Sequence, residues 1–283
     1  MTNKYQNAFV SNIPAAEYRS WDAINATLLK EETPIDMQLK NSGERVLTPS
    51  LAETFATGEA IHLALLEPDD FDRRIVEIDV KGLLTQAAEK ARQENPGKLI
   101  VNNHIREIAL RIRDAAFAHD CAREILEGCP ETEVSAIVDD RESGATLKCR
   151  IDLRPPDGAN YLADVKSVSD ISLNSFQRSL TSFGYIVQAA FYLDVNNMLS
   201  GEDRDVFSFI LTQKSEPFHV RVVEVSGTSI EVGREVYRRR LNAYLDSLAA
   251  VASGDATELE GYRREPVRKM ELTKWQIDML LNN

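Results

Sequence analysis

Asp152, Asp164 and Lys166 are the side chains of this sequence best suited to breaking a phosphodiester bond. They lie in two short stretches, Lys148-Cys149-Arg150-Ile151-Asp152-Leu153 and Tyr161-Leu162-Ala163-Asp164-Val165-Lys166-Ser167. Arg154-Pro155-Pro156-Asp157-Gly158-Ala159-Asn160, rich in turn formers, separates them. The pattern predicts a β-hairpin. With a turn centred near Gly158, Asp152 falls opposite Asp164 and Arg150 opposite Lys166. Side chains alternate along a strand, so 150 shares a face with 152 and 164 with 166. Ile151, Leu153, Ala163 and Val165 are left for a common core. Carboxylates facing each other across a strand pair repel, which calls for a compensating cation. Their hard oxygens suit Mg2+, with Mn2+ as a substitute. A metal there would polarise a phosphate, help generate hydroxide and stabilise the transition state. Lys166 would orient or help deprotonate a water, or oppose phosphate charge. The competing reading is a surface hairpin with scattered charges, and a D-x-K triplet alone does not separate the two.

Such a hairpin needs a sheet to join and helices to cover it. Upstream, Tyr18, Trp21, Ile24, Ala26, Leu28 and Leu29 give an approximate helical stripe over 15–30. A short helix is expected over 35–40 and a longer one over 50–66, with Ser50 as N-cap and Glu53 completing a capping box. A strand follows over 75–80, then helices over about 83–94, 98–102 and 104–127. Strands are expected at 131–139, 145–153, 161–167, 206–213 and 218–224. Helices fall between them at 173–198 and after them at 229–253. This order predicts an α/β (α+β) chain with a central mixed β-sheet flanked by helices. We expect one domain, residues 1–283. It comprises a mainly helical part over 1–130 that carries His62, a sheet-and-helix core over 131–253 and a peripheral tail over 254–283 that contains Trp275.

The composition is that of a globular chain, 43% hydrophobic and 28% charged. No apolar run reaches the length of about 18 residues that a membrane span needs. The polar start, Met1 to Val10, lacks a signal core, so a cytoplasmic location is expected, in a bacterial host or a phage-infected bacterium. Three cysteines, Cys121, Cys129 and Cys149, form no CxxC pair and read as reduced thiols. The net charge of −12 argues against DNA binding by the surface at large and leaves room only for a local basic groove.

An acid on one strand and (D/E)-x-K on the next resembles the PD-(D/E)xK nuclease superfamily. The closer resemblance is to its RecE-like (exonuclease VIII-type) branch, related to the RecB nuclease domain and phage λ exonuclease. Several further motifs carry it. Gly58-Glu59-Ala60-Ile61-His62, with Leu65-Leu66-Glu67-Pro68 and Phe71, resembles the G-x-A-x-H helix of that branch. Glu133-Val134-Ser135 resembles its first core strand, and Lys148-Cys149-Arg150-Ile151-Asp152 its K-x-R-x-D strand. Tyr185-Ile186-Val187-Gln188 resembles its Y-x-x-Q helix, and Asn25 to Lys30 its opening helix. The likeness spans about residues 18–275.

The resemblance implies a restriction-endonuclease-like core and a metal-dependent deoxyribonuclease, foremost a double-strand exonuclease of phage-type recombination. Asp152, Asp164, Lys166, Gln188 and His62 would be catalytic. Asp152, Asp164, His62 and the Val165 carbonyl would hold Mg2+, with Glu133 as a further candidate. His62 alone would otherwise read as a core histidine. Tyr185, Gln188 and Tyr192 share a helix face, on which Tyr192 reads as packing. Tyr185, Arg150, Arg154 and Arg178 would meet the substrate, and Lys148 also flanks the first strand. Arg238-Arg239-Arg240 reads first as a solvated face. The second acid is Asp rather than Glu, and the cysteines are too few for an iron–sulfur cluster. Expected partners are double-stranded DNA ends, a single-strand annealing recombinase and further copies of the chain in a ring. The alternatives are an endonuclease or single-strand nuclease of the same fold, or a DNA-binding protein that does not cut.

Overall fold

The computed structural model describes residues 4–42, 48–254, 271 and 274. The chain opens with β1 (Ala8–Val10), α1 (Ala15–Ser20), α2 (Ala26–Leu29), α3 (Pro34–Ser42), the long α4 (Pro49–Leu66) and α5 (Phe71–Arg74). Then come β2 (Ile75–Glu77), α6 (Gln86–Glu94), β3 (Leu99–Val101), α7 (Asn103–Ala118) and α8 (Asp120–Gly128). β4 (Glu131–Asp139), β5 (Thr146–Arg154) and β6 (Tyr161–Val168) follow, then α9 (Leu173–Ser182) and α10 (Tyr185–Ser200). β7 (Val206–Gln213), β8 (Val220–Val225) and α11 (Gly227–Ala252) complete the core.

The main sheet runs β1-β4-β5-β6-β7-β8, and β2 pairs with β3 separately. Within the main sheet β6 and β7 are parallel and the other neighbours antiparallel. The expected fold class, a mixed sheet flanked by helices, is what the chain adopts. A parallel pair needs a crossover, and α9 with α10 provides it. α10 then lies on one face of the sheet, where Val187, Ala190, Phe191 and Leu193 pack with Cys149, Ile151, Phe207 and Phe209. α4 and α7 cover the other face, against Leu153, Ala163, Val165 and Ile210. Burial from both sides explains why β7 is apolar at consecutive positions rather than alternating.

Most predicted elements form, and the departures have local causes. The helix expected over 15–30 breaks because Ile24 leaves it to bridge Leu147 of β5. Its N–H donates to Thr146 O at 2.9 Å and its carbonyl accepts from Lys148 N at 2.8 Å. Asn25 then restarts the helix as the N-cap of α2, accepting from Leu28 N. At α4 the cap is Thr48, not Ser50, since Pro49 takes the first helical position, where no N–H is needed. Within the helix expected over 98–102, residues 99–101 are strand instead, because Leu99-Ile100-Val101 pairs with β2. The helix expected over 104–127 divides at His119, whose ring caps α8. The one expected over 173–198 divides at Gly184, which takes φ +61°. The mainly helical N-terminal part also supplies strands, since β1 joins the main sheet and β2 pairs with β3. Apart from Gly254, Glu271 and Lys274, the tail with Trp275 lies outside the described residues.

The α10–α11 contact depends on Gly233. A Cβ there would stand 2.4 Å from the Ile186 carbonyl oxygen and 3.2 Å from Ala190 Cβ. Gly233→Ala should therefore destabilise the protein by about 2 kcal/mol or more through overpacking. Gly227→Ala, whose Cβ meets nothing within 4 Å, should stay within about 0.5 kcal/mol of the parent. Denaturant midpoints for the two variants test this.

Candidate active site

The candidate site sits where the sheet forks. β5 and β6 are in register at Leu153↔Ala163, which sets Asp152 opposite Asp164 as the turn length predicts. Beyond that pair, Val165 N–H donates to the Asp152 carboxylate, Oδ2, at 3.0 Å. β6 continues along β7 through eight pairs, from Tyr161↔Val206 to Val168↔Gln213. β5 keeps to β4 instead, and Ile24 comes in beside it at Leu147. The β4–β5 register also skips one level, that of Glu133 and Asp152. Glu133 holds φ +52°, a conformation costly for a residue with a Cβ.

This irregularity overturns the expected single core. Ile151 packs with Leu147 and Cys149 beneath α10, whereas Leu153 joins Ala163 and Val165 beneath α4 and α7. Arg150 and Lys166 do not face each other either. Arg150 donates to Ile13 O at 2.8 Å and lies 4.7 Å from the Tyr18 ring. Lys166 instead lies over the Tyr185 and Phe209 rings, at 4.9 and 5.8 Å.

On one side of the fork α4 presents His62. Its Nε2 donates to the Val165 carbonyl at 3.1 Å. Nδ1 then faces Asp152 Oδ2 at 3.5 Å and Glu133 Oε1 at 3.8 Å. Burial opposes charge on this imidazole, but Asp152, Glu133 and Asp164 outweigh it and raise its pKa to about 9. Burial and then the Asp164 charge push Asp152 up to about 7. Glu133, although burial works the other way, is held below the usual carboxylate range by His62 and Arg150.

On the other side α10 presents Gln188. Its Nε2 donates to Asp164 Oδ1 at 2.6 Å, and its Oε1 accepts from Lys30 Nζ at 3.0 Å. Asp164 Oδ2 is buried, has no hydrogen-bond partner and forms an ion pair with Lys166. Burial works against charge on Lys166, yet Asp164 and Asp152 hold its pKa above the ordinary lysine value. In this state Lys166 is therefore an ammonium, suited to opposing negative charge rather than to removing a proton. Tyr185 stacks near Phe176, Phe183 and Phe209, and Tyr192 packs near Phe207 as expected.

The ligand atoms of His62, Glu133 and Asp152 all lie within 4.8 Å of one another and could hold a divalent metal ion. The buried Asp164 carboxylate beside them, whose Oδ2 faces the Lys166 ammonium, adds to the negative charge that a cation would offset. Three expectations shift. Glu133, the lesser candidate, lies inside this group. Asp164 lies outside it, engaged by Gln188 and Lys166, and the Val165 carbonyl is occupied by His62.

The basic residues divide similarly. Arg178 is exposed on α9 and Arg150 is half-buried beside Glu133. Arg154 is buried, and its guanidinium is engaged within the protein by Asn196, Glu131 and Asp157. Lys148 closes the end of α1 by donating to the carbonyls of Tyr18, Arg19 and Trp21. Arg238 pairs with Asp140, and Arg240 donates to Leu29 O and Lys30 O, leaving Arg239 exposed. Lys30 itself was not among the expected site residues. Burial and the nearby Lys166 charge lower its pKa to about 7. Nothing in its spacing connects it to Gln188, 158 residues later.

A family model described as "PDDEXK-like domain of unknown function (DUF3799)" matches residues 28–264. A crystal structure of a presumptive exonuclease from Eubacterium rectale superposes with a TM-score of 0.58. That comparison covers 96% of this chain and 97% of the other at 15% identity, a likeness of fold. No curated protein sequence matches this chain. Among the described residues, no helix is long and apolar enough to cross a membrane.

The His62 environment sets a pH dependence. Its folded pKa, about 9, exceeds the ordinary 6.5, so its contribution is complete below pH 6.5 and is lost as pH rises through 9. The metal-free protein should therefore melt at lower temperature at pH 9 than at pH 7. His62→Asn should remove most of that difference. Stabilisation by added Mg2+ should grow over the same interval, because a metal takes the deprotonated imidazole. Melting curves in EDTA and in Mg2+ at both pH values give the comparison.

Proposed function

The chain belongs to the PDDEXK-like domain family, and we propose that within it the protein is a Mg2+-dependent deoxyribonuclease, foremost an exonuclease acting on the ends of double-stranded DNA. One observation carries this reading. Five side chains from four elements, His62, Asp152, Asp164, Lys166 and Gln188, meet at the fork in direct contacts.

His62, Asp152 and Glu133 would hold the metal, with Asp164 beside them. Bound there, Mg2+ would supply Lewis-acid polarisation of the phosphate and a more acidic water. Val165 takes part through both backbone groups. Its N–H fixes the Asp152 carboxylate and its carbonyl orients His62, so each side chain meets the other partners in one rotamer. Gln188 saturates Asp164 Oδ1 and leaves Oδ2 facing Lys166. Lys166, held cationic, opposes the negative charge that builds on the phosphate oxygens as water attacks the phosphorus. Tyr185 lines the same space, and Arg150 and Arg178 are the remaining candidates for flanking phosphates.

The net charge of −12 restricts where DNA is gathered. We propose a ring of several copies that confines the basic groups to a channel. A single-strand annealing protein of phage-type recombination inside a bacterial cell is the proposed partner.

End-labelled linear DNA and covalently closed circular DNA, each with Mg2+ and with EDTA, test the activity. Linear DNA should be degraded only with Mg2+ and circular DNA should survive. No Mg2+-dependent loss of linear DNA would refute the nuclease reading, and loss of the circle would refute the exonuclease. Lys166→Ala should lower the rate by about 10²–10³-fold, as removal of one group that stabilises the transition state does, and should also lower the melting temperature, because the buried Asp164 loses its partner.

A further inference from the structure

We propose that Lys30 is a positioning residue for this site, fixing the Gln188 amide so that its NH2 serves Asp164. The inference rests on the nuclease reading for its effect on rate, and on geometry alone for the placement.

A side-chain amide has one accepting and one donating end. Gln188 Oε1 accepts from Lys30 Nζ at 3.0 Å while Nε2 donates to Asp164 Oδ1 at 2.6 Å. Turned over, the amide would set oxygen against a carboxylate and NH2 against an amine. Lys30 and Asp164 therefore allow one orientation. Without Lys30, a buried carbonyl oxygen would lose its partner and the amide would lose the reason to keep its NH2 on Asp164. Asp164 Oδ1 would then compete with Oδ2 for Lys166.

Three separate features place Lys30. Asn25 caps the short α2, at whose C-cap Lys30 stands. Arg240 of α11 donates to the carbonyls of Leu29 and Lys30, at 3.1 Å each, and pins the end of α2. The aliphatic stem then crosses Gly184, where a Cβ would stand 2.6 Å from Lys30 Cγ. Gly184 also adopts φ +61°, so glycine is required there by the backbone and by the lysine. Lys30 Nζ ends 5.2 Å from the Tyr185 ring, which has Lys166 Nζ at 4.9 Å. Asp164 is thus reached from α2 through Gln188 and directly from Lys166, at different oxygens.

The test is a double-mutant cycle on Mg2+-dependent digestion of end-labelled linear DNA. Lys30→Met should lower kcat about 10–100-fold, as loss of a residue orienting a catalytic group does, with KM changed less than about twofold. Lys30→Arg should recover part of the loss. Lys30→Met combined with Gln188→Ala should be no slower than Gln188→Ala alone. Additive losses, or a loss confined to KM, would overturn the proposal and make Lys30 a direct phosphate contact. Full activity in Lys30→Met would also overturn it. Should Lys30→Met fail to fold, Gly184→Ala, which displaces the stem, should show the same kcat loss and the same masking by Gln188→Ala, and additivity would refute the idea there too. Side-chain amide NMR separates this outcome from the nuclease reading. The Gln188 NH2 signal, identified by its absence in Gln188→Ala, should exchange with water at least about tenfold faster in Lys30→Met. If the parent cuts no DNA, the nuclease reading falls and the exchange rate alone decides the placement. An unchanged rate refutes it.

Discussion

Three carboxylates, Asp152, Asp164 and Glu133, are brought together at the edge of a closed core, and the architecture around them answers that repulsion. Desolvation and mutual charge raise Asp152 to about 7 even with cations on both sides. His62 meets the group from the α4 side and Lys166 from the α10 side. Each cation is shifted upward by the acids it faces, the signature of charges that depend on one another. Removing either cation would leave buried negative charge, and breaking a buried pair costs far more than the pair contributes. The helices on the two faces of the sheet are thus tied to the same point by charge as well as by packing.

The backbone yields to make this possible. Regular antiparallel pairing would bury Asp152 and Asp164 against each other with no room for a third group. The strands instead part after Leu153↔Ala163, and the Val165 N–H turns to the Asp152 carboxylate. Glu133 accepts a left-handed φ at the same level. Buried N–H groups in proteins are nearly always paired, so a side chain taking one from the ladder marks a built feature. Ile24 then pairs beside β5 at Leu147, beyond the fork, so the segment that brings Lys30 to the site also covers part of the opened strand.

Much of this was legible in the residues. The turn over 154–160 sets the Asp152–Asp164 register, and the apolar runs of β4 to β7 fall within a residue or so of their predicted limits. The missed features are those in which a distant partner overrides a local signal. Periodicity over 15–30 is helical, yet Ile24 is recruited by β5. Alternation along 150–153 predicts one shared face, yet the kink at Glu133 and Asp152 sends Ile151 and Leu153 to different cores. Lys30 belongs to the same class. Its partner is a glutamine far along the chain, and its path needs a glycine at 184 whose turn role had hidden the second requirement.

The arginines and lysines carry the same argument into electrostatics. Read along the sequence, Lys148 and Arg154 resemble a supply of positive charge for a polyanion, and Arg238-Arg239-Arg240 a solvated helix face. In the fold, Lys148 binds carbonyls, Arg154 binds Glu131 and Asp157, Arg238 binds Asp140, and Arg240 holds the end of α2. A guanidinium neutralised inside the protein adds little to the outer field, whatever it adds to the formal count. With −12 overall, the positive potential near the fork rests on few groups, Lys166, Lys30 and Arg150 among them, each held by neighbours rather than free in solvent. Such a site can favour a phosphate at short range and offers little long-range steering, because acids outnumber bases in the chain as a whole. For the proposed nuclease, the chemistry at the fork and the capture of a polyanion are therefore separate problems, and the side chains at the fork bear on the first.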